Sequence, residues 1–370
     1  MLLIPFTVFG LCQNADLSDK FSFYVALTLW AIYCWVSNIV NTTIIAMFLP
    51  ILYLSFDVAD SRTVFAPWGS TVSWLCLGGL FLGKMLIKCG LILRVSYKCM
   101  LFSSGSFIRI LLGIMIAGFL VAPLIPSALG KCTIFFILGT GICVSLDISP
   151  ESKTSATIFM TCLFAVTGPS YAFLTSCAQA PVAIQLMESV CNVKTTWFEY
   201  AYHNVVPSLI YTVVSFVSIL LSLRPGKLPG IKNVIEEKYA ALGPLSKDEK
   251  KAITILILIL LLLVSESLHK INAAWCMMFL AFIMFLPGVD LLHSDDVDKV
   301  SFSLIFFLAG AMSIGAVAAE IGIAEKVTSY ATLFLSTDEA FIHIAVFFFL
   351  VCCVCFFFHQ SQDLPRLAYP

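Results

Sequence analysis

Eleven apolar runs set the terms for this chain. They lie near residues 22–36, 38–56, 72–87, 107–124, 132–146, 155–181, 205–223, 252–265, 272–287, 302–319 and 340–358. A bilayer takes about 20 apolar residues per helical crossing, and several runs reach that length. Others are short, or broken by Gly, Pro or Ser, as re-entrant or discontinuous helices would be. With only 12% of its 370 residues charged, against about 25% in soluble domains, the chain cannot hide this much apolar surface inside a water-facing globule. An all-α polytopic membrane protein is expected. Lipid is its main solvent, in a cell membrane or an organelle inner membrane.

Charge and cysteine narrow the functions. A net charge of −1 gives no electrostatic case for nucleic acid. Most of the fourteen Cys lie inside apolar runs, and Cys352, Cys353 and Cys355 lack metal-ligand spacing, so they read as small hydrophobes. The opening MLLIPFTVFGLC has no basic n-region, and no signal peptide is expected. No cofactor is implied. Five scattered His, with no HExxH pair and no nucleophile elbow, argue against a membrane-embedded enzyme.

One polar stretch divides the chain. Arg224–Lys251 holds seven Lys/Arg against four Asp/Glu and reads as a cytoplasmic linker under the positive-inside rule. Its end, Ser246-Lys247-Asp248-Glu249, has the pattern of a capping box opening the next helix. The expected organisation is a first membrane repeat over 1–223, with a hairpin at 107–146 and a broken helix at 155–181. The linker 224–251 follows, then a second repeat over 252–370.

A repeat supports that division. MFLP occurs at 47–50 and 284–287, each followed by a glycine-rich helix and a basic exit. The pairs are Gly79/Gly310, Gly83/Gly315, Gly90/Gly322 and Arg94/Lys326. Ser127 lies 37 residues beyond Gly90, and Ser361 lies 39 beyond Gly322. Both sit in polar breaks beside Pro, with a base following, Lys131 or Arg366. Paired interruptions in two halves point to a transporter's midplane site, where helix N-termini suit carboxylates. Two inverted repeats with re-entrant hairpins are expected. The polar stretch Ser37–Thr43 lies upstream of the first MFLP and reads as scaffold.

Smaller features read as structural. Lys84, Lys88, Glu266 and Glu320 fall near span ends, where long side chains reach the interface. His203 reads as interfacial, and Asp147 and Glu151 as solvated.

At these residues the chain resembles the divalent anion/sodium symporter family, nearest its 2-oxoglutarate/malate and citrate translocator branch. Pro126-Ser127-Ala128-Leu129-Gly130-Lys131 stands where the branch shows Pro-Ser-Asn-Thr-Ala-Arg. KCGLILRVSY at 88–97, AFLTSCAQAPVA at 172–183, WFEYAYHNVVP at 197–207, ALGPLSKDEKKAI at 241–253 and Asp295-Asp296 are similar to further branch segments. The resemblance covers residues 30–370. It implies an elevator-type transporter of dicarboxylate anions, working as a homodimer and exchanging substrates of the malate, 2-oxoglutarate or citrate class. It implies a substrate site at Ser127, Ala128, Leu129, Gly130, Lys131, Thr175, Ser361, Gln362 and Asp363, with Na⁺ as a coupling ion at Ser127 and Ser361.

The departures carry expectations too. The first Ser-Asn-Thr reads Ser-Ala-Leu, the second motif reads Ser361-Gln362-Asp363, and the Asn before Pro181 is Ala180. Weak Na⁺ dependence follows. Asp363 would repel a dianion unless protonated, paired with Arg366 or bound to a cation; all three stay open. Because the resemblance implies further spans after the second tip, the second repeat reads as incomplete. The competing reading is a truncated or decayed relative that does not transport.

Overall fold

The computed structural model describes residues 5, 7–10, 18–102, 106–125, 127–191 and 194–323, and among them every regular element is helical. Five helical stretches there are long and apolar enough to cross a membrane: Asp19–Ser37, Ser61–Lys88, Phe107–Leu124, Trp197–Leu223 and Phe302–Glu320. Helices Thr42–Ser55 and Ala273–Ile283 are shorter and equally apolar. Along Trp197–Leu223 the large side chains of Val206, Leu209, Ile210, Val213, Val214 and Leu221 are exposed, a surface that water would not tolerate and lipid does. The second tip, Ser361–Asp363, and the apolar run at 340–358 lie outside the described residues.

The described residues form two compact units, one of those up to Ser70 together with 302–323, the other within Thr71–Ser301. In the first, helix Phe302–Glu320 packs on Thr42–Ser55. A Cβ on Gly310 would stand 2.1 Å from the carbonyl oxygen of Ala46, so glycine is what lets these backbones meet, as small residues do at membrane helix contacts. In the second, helix Thr71–Lys88 packs on Ala273–Ile283, with Gly78 against Met277.

The packing is reciprocal with respect to the two MFLP stretches. Each glycine-rich helix lies on the helix that carries, or runs into, the other copy of MFLP. Gly90 and Gly322, paired by sequence alone, both follow such a helix and both hold a left-handed backbone, φ +71° and +70°, a conformation that favours glycine. MFLP itself differs between the copies. At 47–50 it lies inside a helix, whereas at 284–287 it forms the turn that ends Ala273–Ile283.

Two sequence expectations need adjusting. The run 38–56 does not begin as a helix. Asn38 is the left-handed C-cap of Asp19–Ser37, and Asn41 caps Thr42–Ser55 by accepting from the Thr43 N–H at 2.9 Å. The polar stretch is a helix–turn–helix corner whose Asn41 bond is local rather than interhelical. The 224–251 linker also carries structure, since Ile231–Ala241 is a helix packed on Leu91–Phe102 and Ala128–Ser145. The capping box at Ser246 and Glu249 forms as expected, with both reciprocal hydrogen bonds present.

Candidate functional site

The Thr71–Ser301 unit brings the first tip onto a broken helix. Phe107–Val121 tightens into a turn at Ala122–Leu124, where Pro123 supplies no N–H to continue the helix. Helix Ala128–Ser145 then starts at Ser127, whose Oγ accepts from the Gly130 N–H at 3.1 Å. Opposite it, Lys153–Thr167 ends at Gly168-Pro169, residues 172–178 run without regular helix, and Gln179–Cys191 resumes. The sequence placed one apolar run over 155–181. The structure divides it at Gly168-Pro169 and Cys177, leaving a loop of backbone groups inside the unit.

Lys131 spans the junction. It follows Ser127 by four residues, one helical turn, and is 1% exposed. Its Nζ donates to the Ser176 carbonyl in the break at 2.7 Å. No carboxylate oxygen lies within 4.0 Å of it among the described residues. This ammonium does not snorkel to the surface. The Ser176 side chain is wholly buried, and its Oγ has no hydrogen-bond partner among the described residues.

Thr175 is 1% exposed. Its hydroxyl donates to the Pro123 carbonyl at 2.7 Å and accepts from the Trp197 indole N–H at 3.1 Å. Of the sequence-derived site residues, Ser127, Lys131 and Thr175 therefore meet at one junction. Ala128 and Gly130 lie on the first turn of the same helix. Leu129 is on that turn too, its side chain outside the description. Sequence reading missed Ser176, Pro123 and Trp197. Ser176 stood in the quoted AFLTSCAQAPVA segment, but only the fold gives its carbonyl to Lys131.

The described side chains of the tip offer few ligands to a hard cation. Such ions take several oxygen ligands, whereas Ala128 and Leu129 supply no side-chain oxygen, the Ser127 Oγ is engaged by Gly130, and an ammonium already occupies the junction. Among the described residues no group of three or more His, Cys, Asp or Glu is arranged to hold a metal. Beside the break, Leu174, Gln185, Glu188, Glu266 and Asn272 help line a cavity of about 50 Å³, room for a few waters.

The other charges have structural work. Lys88 reaches Asp296 and, at 3.0 Å, the His293 Nδ1. Burial raises the Asp296 pKa, but the hydrogen bonds from Lys88 and the His293 N–H outweigh it and leave the carboxyl below its ordinary value. Glu266 accepts from the Trp197 and Ala273 N–H groups at 2.8 and 3.2 Å, so it serves two helix starts. His203, Asp147, Glu151 and Glu320 are exposed.

These features define a class: a multi-pass helical membrane protein with a buried cation where a tip meets a broken helix. The chain belongs to the family described as the sodium:sulfate symporter transmembrane region, matched over residues 1–362. It is 24% identical over 264 residues to the "Putative malate transporter YflS" of Bacillus subtilis (strain 168), covering 69% of this chain and 54% of that protein. It is 26% identical over 192 residues to "Dicarboxylate transporter 1, chloroplastic" of Arabidopsis thaliana, covering 50% and 34%. To the "Sodium-dependent dicarboxylate transporter SdcS" of Staphylococcus saprophyticus it is 25% identical over 263 residues, covering 67% and 50%. The matches thus span between about a third and a little over half of these relatives' own lengths.

Proposed function

We propose that the protein moves di- and tricarboxylates of the malate, 2-oxoglutarate and citrate class across its membrane, by exchange. The observation that carries this reading is Lys131, a buried ammonium without a carboxylate partner among the described residues, beside two helix N-termini. A carboxylate arriving there finds a cation, the positive ends of two helices and a Ser176 hydroxyl without a partner among the described residues, a set that suits a desolvated anion. Ser127 to Lys131 would form one side of the pocket and the break the other. Ser361, Gln362 and Asp363 are proposed as further substrate contacts, and an elevator-type cycle of a homodimer as the mode of movement.

Uptake of labelled malate, 2-oxoglutarate and citrate into proteoliposomes tests this. Saturable uptake that internal counter-substrate accelerates is expected, and failure of all three acids to enter would sink the reading. That failure would favour the decayed relative, for which Ala128 and Leu129 at the tip already speak.

Na⁺ is expected to matter little, because Ala128 and Leu129 provide no side-chain ligands and Lys131 is a built-in cation. A steep, saturable rise of uptake with Na⁺ at constant ionic strength would count against this.

A further inference from the structure

We propose that Trp197 acts through Thr175 as a positioning residue, and that Thr175 holds the first tip in place rather than binding substrate. The indole N–H donates to Thr175 Oγ1 at 3.1 Å, and that hydroxyl donates to the Pro123 carbonyl at 2.7 Å. Pro123 lies in the turn Ala122–Leu124, directly before the tip. A threonine hydroxyl has one proton. Here it is given to Pro123, so none remains for a carboxylate.

Trp197 is itself held from two directions. Its ring stacks on Phe173 of the break, centroids 5.6 Å apart. Its backbone N–H donates to Glu266, whose other oxygen takes the Ala273 N–H. Glu266, Trp197, Thr175 and Pro123 therefore form a continuous chain of hydrogen bonds from the turn after Lys247–Val264 to the tip. Trp197 and Thr175 are buried, and a buried polar network of this kind rigidifies what it joins. Lys131 meets Ser176, the neighbour of Thr175. The clamp therefore fixes both sides of the contact on which the ammonium's position depends.

The inference deepens the proposed transport function, but only its kinetic test rests on that reading. The full-length protein in lipid nanodiscs is compared with four variants. Trp197→Phe keeps the ring on Phe173 and removes the N–H, while Thr175→Val keeps the shape and removes the hydroxyl. Thr175→Ser keeps the hydroxyl, and the fourth variant combines Trp197→Phe with Thr175→Val.

Amide hydrogen exchange over residues 121–135 should accelerate several-fold in Trp197→Phe and Thr175→Val and stay near wild type in Thr175→Ser. The double variant should be no faster than Thr175→Val, because residues acting through one contact are not additive. In proteoliposomes, KM for whichever acid the wild type takes up should rise about fivefold in Trp197→Phe, the loss of one hydrogen bond, with kcat within about twofold.

Unchanged exchange at the tip in Trp197→Phe, additive acceleration in the double variant, or equal acceleration across 205–215 would overturn the clamp. If the wild type takes up none of the acids, the transport reading fails and the exchange result still decides the clamp. If Thr175→Val does not fold, Trp197→Phe against Thr175→Ser carries the comparison.

Discussion

Lys131 and Arg94 are both buried cations of the Thr71–Ser301 unit, and their surroundings are opposites. Arg94, 8% exposed, gives Nε and Nη2 to the two oxygens of Glu249 and reaches the Leu242 and Gly243 carbonyls at 3.1 and 2.9 Å. Charge and geometry are matched there, and the pair ties the end of the linker to helix Leu91–Phe102. Lys131 has one carbonyl and no counter-charge among the described residues. Taking an ion out of water costs several kcal/mol unless a partner compensates, and intramembrane charges that persist tend to mark functional sites. The paired cation serves the fold. The unpaired one is where the proposed substrate would complete the electrostatics.

The largest expected effect separates the two at once. Lys131→Ala should abolish uptake while the protein inserts normally, and its thermal stability in detergent should hold or rise because an uncompensated charge has gone. Lys131→Arg should keep part of the transport. Full uptake by Lys131→Ala would remove the main positive group of the proposed site and make both cations structural.

Arg94→Ala should do the reverse. It strands the Glu249 carboxylate in a buried setting, a change that costs about 3–5 kcal/mol in comparable pairs, so expression and melting temperature should fall well before KM changes. Arg94→Lys should recover little, since an ammonium cannot reproduce the fork onto both carboxylate oxygens. Equal stability of Arg94→Ala and wild type would erase the contrast.

A pH titration sharpens the same point at smaller amplitude. Burial raises the Glu249 pKa, but hydrogen bonds from Arg94 and Ser246 dominate and hold it below the ordinary 4.5. A carboxylate depressed in the folded state stabilises above its unfolded pKa and loses that contribution as pH falls through the folded value. Asp296, depressed through Lys88, acts in the same direction. Melting temperature should therefore be flat from pH 7 to about 5 and drop below about 4.5. Glu249→Gln should flatten part of that fall. A loss of stability already between pH 7 and 6 would mean that other groups dominate.

What the sequence disclosed depended on how local the signal was. Apolar length gave the membrane class, and the capping box was readable because Ser246 and Glu249 find each other within one turn. Gly90 and Gly322 were pairable because a left-handed position after a helix favours one residue type. The reciprocal packing of the glycine-rich helices was not legible, since Gly310 on Ala46 and Gly78 on Met277 are contacts across most of the chain. The candidate site divided in the same way. Ser127 and Lys131 announced themselves by spacing. The Ser176 carbonyl and the Trp197 indole have no signature, because a backbone acceptor is shared by every residue and a tryptophan near a span end usually belongs to the interface.

The smallest expected effect concerns Asn38 and Asn41, a polar pair that could be mistaken for a second site. Asn38 holds φ +50°, which asparagine tolerates better than most residues, and Asn41 caps a helix through the Thr43 N–H. Each bond or conformation is local and at the surface, so each replacement by Ala should cost about 1 kcal/mol. The double variant Asn38→Ala/Asn41→Ala should lower expression or melting temperature modestly and leave KM untouched. Set beside Lys131→Ala, the two outcomes have opposite signatures: stability falls without loss of binding in one, and transport is lost without a fall in stability in the other. A selective loss of substrate affinity with normal folding in the asparagine variant would move the site, or part of it, to the corner between Asp19–Ser37 and Thr42–Ser55.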